Sequence, residues 1–241
     1  MRGLSLRCDL SGCAHCATGH GMFEWRNFLF LSGLCLLAQP AHAHPHIFVD
    51  VELEVVFDEA GIPEGLWISW TYDPFFSMLL VSDMGLDPDF TGTISEDERE
   101  ALDGFDMQWT VEVYHGDTHA TQDGEPLALS SPITWESDYR DGQLRSRHLR
   151  HLLDRPDPDR EWMVGVYDPT YYTSYGLVGT PRAIGREDCS LRIFEPDWDA
   201  ASAQLEAALD EILGAGGDIE AEFPMVGALF SEEVRIRCGA R

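Results

Sequence analysis

Ile47, Val49, Val51, Leu53, Val55 and Phe57 fall on every second position, and Asp50, Glu52 and Glu54 lie between them. Successive side chains of a strand point to opposite faces, so this period demands a sheet with one face on a core and one in water. Asp58-Glu-Ala-Gly61 supplies turn residues, and the strand-like run Leu66 to Tyr72 follows, which predicts an opening hairpin. Asp73-Pro74 then pairs an N-cap residue with proline at the first helical position, predicting a short helix over 74–82.

Further strands are expected at Met107 to Tyr114, Ile133 to Tyr139, Leu144 to Leu152, Glu161 to Tyr167 and Leu191 to Phe194. Asp123-Gly124, Asp141-Gly142 and Pro156 to Pro158 punctuate them. Helices are expected over 96–103 and over 197–213, the latter stopped by Gly214, Gly216 and Gly217. Val234, Ile236 and Cys238 alternate as a last strand. The sum is a mainly β, α+β fold: an antiparallel β-sandwich or open barrel carrying an EF-hand-like helix-loop-helix insertion.

Ahead of the first strand, the apolar run Phe28 to Leu37 follows Arg26 and precedes Gln39-Pro-Ala-His-Ala43, the small-x-small pattern cut by signal peptidase. The run is about half the roughly 20 residues that a membrane-spanning helix requires. We expect residues 1–43 to comprise an upstream extension and a cleaved signal peptide, with Met22 as the true start. Cys8, Cys13, Cys16, His15 and His20 have metal-knuckle spacing, but ligands upstream of a cleaved signal would be discarded. A single periplasmic domain, His44 to Arg241, with no transmembrane span, is the expected product.

That product contains only Cys189 and Cys238, an even count in an exported chain, which predicts a disulfide. The whole chain has 16 Lys+Arg, all of them Arg, against 43 Asp+Glu, for a net charge of -27. Such a charge repels phosphate backbones, and no nucleic-acid partner is expected. The sequence lacks G-x-S-x-G, H-E-x-x-H and G-x-x-x-x-G-K, so no catalytic residues and no enzymatic activity are assigned.

Two segments point to metal chemistry. Asp87, Asp89, Thr91, Thr93, Ser95 and Glu98 occupy positions 1, 3, 5, 7, 9 and 12 of an EF-hand-like loop, with Gly92 at the sixth. These are hard oxygen ligands and predict Ca²⁺. Thr91 replaces the usual Asp or Asn and Pro88 stiffens the loop; Ser95 and Glu98 also form the S-x-x-E box of an ordinary helix start. The second segment is the new terminus His44-Pro45-His46, where the α-amine and imidazoles can chelate Ni²⁺, Co²⁺ or Zn²⁺. Pro45 has no amide proton to lose, which blocks a square-planar clamp. Asp50, Asp168, His148 and His151 are candidates to complete that site. His148 and His151 should point to opposite faces of a strand, and His115 and His119 are better read as surface histidines.

The His44-Pro45-His46 start, the strand Ile47 to Asp50, the loop Asp87 to Glu98, the segment Tyr167-Asp-Pro-Thr-Tyr-Tyr172 and the Cys189 and Cys238 pair together resemble an uncharacterised bacterial periplasmic family labelled an ABC-type transport system periplasmic component. Members of that family are often encoded beside, or fused to, permeases resembling nickel and cobalt exporters. The resemblance therefore implies a non-enzymatic accessory of divalent-metal transport whose partner is such a membrane permease. The alternative, from another class, is a calcium-stabilised β-sandwich that binds a ligand or partner protein. The residues before Met22 depart from the family pattern.

Overall fold

The computed structural model describes residues 45–239 apart from 111–113, 115 and 220. The expected signal segment, the upstream cysteines and histidines, His44 and His115 lie outside the described residues.

The alternating run becomes β1 (Ile47–Phe57), which pairs antiparallel with β2 (Pro63–Tyr72), matching Val49 to Tyr72 and Val55 to Leu66. The predicted hairpin is thus present. β5 (Thr134–Arg140) and β6 (Gln143–His151) form a second hairpin, and β6 joins β2. On the other flank β1 takes β8 (Thr173–Leu177) and β9 (Arg182–Ile184) in parallel, so the six-stranded sheet is mixed. The second sheet, wholly antiparallel, runs β10 (Cys189–Phe194), β11 (Glu233–Cys238), β7 (Trp162–Val166), β3 (Thr118–Gln122), β4 (Glu125–Leu127).

One apolar core draws on both sheets. Val51, Val55, Leu66, Ile68 and Leu144 come from the first; Trp162, Val164, Val234 and Ile236 come from the second, and all are essentially inaccessible. The fold is the expected α+β sandwich, with no closed barrel. Cys189 and Cys238 are directly opposite in the β10–β11 pair and are disulfide-bonded.

Helices decorate this sandwich. α1 (Pro74–Asp83) starts at Asp73, whose carboxylate accepts from the amides of Phe75 and Phe76. α2 (Glu96–Leu102) starts with a complete capping box between Ser95 and Glu98. α3 (Trp198–Gly214) buries Ala201 and Leu205 against Val226 and Phe230, the latter in the 3₁₀ turn Gly227–Phe230. No described helix is long and apolar enough to cross a membrane. The disulfide is compatible with an extracytoplasmic chain.

The expected strand at Met107 to Tyr114 is not formed at its described residues. Met107 and Trp109 bond back to Gly104 and Met107, and Tyr114 to Thr110, so the backbone winds locally and pairs with no strand. Met107 is buried, and Trp109 stands edge-on to Tyr114 at 5.3 Å.

Candidate functional site

The acidic loop is held together by hydrogen bonds to its two end carboxylates, Asp87 and Glu98. Asp87 is 4% exposed, with a positive φ of 45°. Its carboxylate accepts from the Thr91 amide (2.8 Å), the Thr91 hydroxyl (2.9 Å) and the Gly92 amide (2.9 Å). Burial works against its charge, yet these donors hold its pKa below the ordinary aspartate value. Gly92 has φ of 78°, and a Cβ there would stand 3.1 Å from the Gly142 nitrogen, so the sharp turn requires glycine.

Glu98 closes the loop from the other side. Its Oε1 accepts from the Asp87 amide at 3.2 Å and its Oε2 from the Ser95 amide at 2.8 Å. The Ser95 amide and hydroxyl keep its carboxyl below the usual glutamate value. The Thr93 carbonyl accepts from Thr91 Oγ1 at 3.3 Å. These hydrogen bonds link Asp87, Thr91, Thr93, Ser95 and Glu98 and leave Asp89 outside them; Asp89, Thr91, Thr93 and Ser95 are all exposed. The loop is tied to the first sheet by a bridge between Thr93 and Arg140.

The histidine segment lies at the start of β1. The His46 amide donates to the Tyr172 carbonyl at 2.8 Å, and its exposed ring rests 4.7 Å from the Tyr172 ring. Asp168 shapes the same corner: its carboxylate accepts from the amides of Thr170, Tyr172 and Thr173. His151 is at the other end of the sheet, where β6 pairs with Gly65 and Gly65 with Val56. That is roughly 30 Å along β1 from His46 at about 3.3 Å per residue. His148 is in the core. The two therefore point to opposite faces, as the strand period requires, and neither joins His46. Asp50 is exposed on the outer face of β1, at the rim of a cleft shared with Arg145. His119 stacks on Tyr167 at 3.9 Å. Among the described residues no group of three or more His, Cys, Asp or Glu side chains is arranged to hold a metal ion.

A polar cluster inside the core was not foreseen. Tyr72 and Ser146 hydroxyls donate to Asp106 Oδ2 at 2.8 and 2.5 Å. Tyr114 and Tyr175 hydroxyls donate to Asp117 Oδ2, the latter at 2.7 Å. Burial raises both carboxyl pKa values, that of Asp117 to about 6. His148 packs edge-on to Trp70 at 4.8 Å, and among the described residues neither of its ring nitrogens has a hydrogen-bond partner, nor do Asp106 Oδ1 and Trp70 Nε1. Burial, with the nearby Arg150 charge, pushes the His148 pKa down to about 3. The signal for this cluster was faint. Ser146, His148 and Arg150 face the core from β6, but Arg145, Arg147 and His151 on its other face are as polar, so alternation could not say which side is buried.

No curated protein sequence matches the chain. A family model described as a protein of unknown function (DUF1007) matches residues 29–238, a span that takes in β1 through β11. The chain therefore belongs to that family.

Proposed function

We propose that this protein is an exported, non-enzymatic accessory of divalent transition-metal transport, in which His44-Pro45-His46 takes Ni²⁺, Co²⁺ or Zn²⁺ as cargo and passes it to a membrane permease of the nickel/cobalt exporter type. The observation that carries this reading is the anchoring of His46: its backbone is tied to Tyr172 while its imidazole is exposed. A terminus held this way presents ligands to solvent without the entropy cost of ordering a loose tail. The α-amine and two imidazoles supply an incomplete ligand set, as delivery requires, since a closed site would retain its cargo. The permease partner rests on the family resemblance described above.

The loop Asp87–Glu98 serves this account as a Ca²⁺ site that braces the helix-bearing edge, and its hard oxygen donors keep it chemically separate from the imidazoles. It also supports the second reading, a calcium-stabilised sandwich that binds a ligand or partner protein, because Asp87 and Glu98 converge without any histidine. Calorimetry on protein beginning at His44 separates the two. Submicromolar Ni²⁺ or Zn²⁺ binding that is lost in the His44→Ala/His46→Ala variant supports the accessory. Binding unchanged by that variant refutes its stated site.

A further inference from the structure

The outer face of the β10–β11 pair breaks the charge pattern seen in the first sheet. In the first sheet, arginines face carboxylates across the strands: Arg147 is opposite Glu136, and Arg145 opposite Asp138. In the second sheet Arg192 is directly opposite Arg235, and Arg237 lies two residues along, opposite Ser190. Leu191, Ile193, Val234 and Ile236 point to the core, so the three arginines share the outward face. Directly opposed side chains stand about 5 Å apart at Cβ and diagonal ones about 7–8 Å, and like charges so placed are destabilising.

This repulsion is little relieved by the protein itself. Arg235 lies over the Phe194 ring at 4.2 Å and meets Glu233 at 3.2 Å. No ion pair to Arg192 or Arg237 is found among the described residues, although acids outnumber bases 43 to 16 in the chain. Together with Glu161, Asp188 and Gly239, the three arginines line a cleft of about 380 Å³. Of the two carboxylates that line the cleft, Asp188 pairs with Arg186 at 2.7 Å.

We propose that this cleft is a binding site for a small phosphate-class dianion, gripped by Arg192, Arg235 and Arg237. A carboxylate carries one charge and is satisfied by one guanidinium fork, whereas a phosphate monoester carries nearly two charges and three acceptor oxygens, which suits three converging guanidinia. The acidic remainder of the surface selects on size. At physiological salt its field dies away over about 8 Å, so a small anion seated in the cleft feels the arginines, while an extended polyanion or an anionic bilayer meets net repulsion. The ligand is therefore a free phosphate or soluble phosphate ester and not a lipid headgroup. This site is independent of the metal reading.

The probe is inorganic pyrophosphate, titrated into the full exported chain by calorimetry and by thermal melting at constant ionic strength. We expect saturable binding that weakens roughly tenfold or more in Arg192→Gln and in Arg237→Gln, each of which removes a charge-assisted contact. Without pyrophosphate, Arg192→Gln should melt higher than wild type, because an opposed like charge is gone; with pyrophosphate it should lose the ligand-dependent rise. Arg147→Gln, on the first sheet and paired with Glu54, serves as the control and should bind as wild type. Equal stabilisation by chloride at matched ionic strength, unchanged binding in both arginine variants, or binding only to phosphatidylglycerol vesicles would each overturn the proposal.

Discussion

Replacing His148 with leucine should make the protein less acid-sensitive, by an amount that follows from where the side chain sits. His148 is 0% exposed, and its pKa falls from 6.5 to about 3 in the fold. Above pH 6.5 the ring is neutral in both folded and unfolded chains and does not affect the pH dependence. Between pH 6.5 and about 3 only the unfolded chain takes up the proton, so stability is lost at about 1.4 kcal/mol per pH unit, roughly 5 kcal/mol over the window. Asp117 acts in the opposite sense: its pKa is raised from 3.8 to about 6, so its burial costs stability at neutral pH and about 3 kcal/mol returns as pH falls through that interval. Asp117 is common to both proteins, so its contribution largely cancels in their difference. Urea unfolding at pH 7.5 and pH 4.5, with a chelator present, should show the gap between His148→Leu and wild type widen by about 3 kcal/mol in favour of the variant. At pH 7.5 the variant should be no less stable, since two unpartnered buried nitrogens are removed. A gap that stays constant within about 0.5 kcal/mol would mean that His148 is not held neutral by burial, and the description of the core would be wrong.

Calcium should raise the melting temperature over the roughly millimolar range typical of exported EF-hand-like sites, and Glu98→Gln should abolish that rise while preserving a capping box. Equal response in the two proteins would reduce the loop to a capped turn. Gly92→Ala should cost about 1–2 kcal/mol by denaturant unfolding, because alanine is strained at φ of 78° and its Cβ meets Gly142; no measurable loss would contradict the loop conformation. Cys189→Ser/Cys238→Ser should lose about 4 kcal/mol in the chain-entropy account, given a separation of 49 residues, and a free-thiol assay on the wild-type protein should detect none from this pair.

Much of the architecture was legible because it rests on local periodicity. β1 and β2 alternate cleanly, Asp73-Pro74 marks α1 and glycines end α3, so these elements could be read from spacing alone. The parallel addition of β8 and β9 to β1 was not legible, because Thr173–Leu177 and Arg182–Ile184 are short, half-exposed and carry no alternation. Met107 to Tyr114 misled because apolar residues such as Met107 and Trp109 pack inward from turns at 104–109 and so mimic a strand in composition. Of the candidate sites, the acidic loop was visible because its oxygen-bearing residues are contiguous in sequence. The Asp106 and Asp117 clusters join residues up to 58 positions apart, and only the folded chain brings Tyr175 to Asp117.

In the proposed function, export cleavage itself creates the transition-metal site, by freeing the amine of His44 beside an anchored His46. Its most direct test is Ni²⁺ affinity measured side by side for protein beginning at His44 with its α-amine free and for the same protein with that amine acetylated. Losing the amine and imidazole chelate should weaken binding by about tenfold or more, while leaving the melting temperature and any Ca²⁺ response unchanged. Equal Ni²⁺ affinity in the two proteins would contradict the claim.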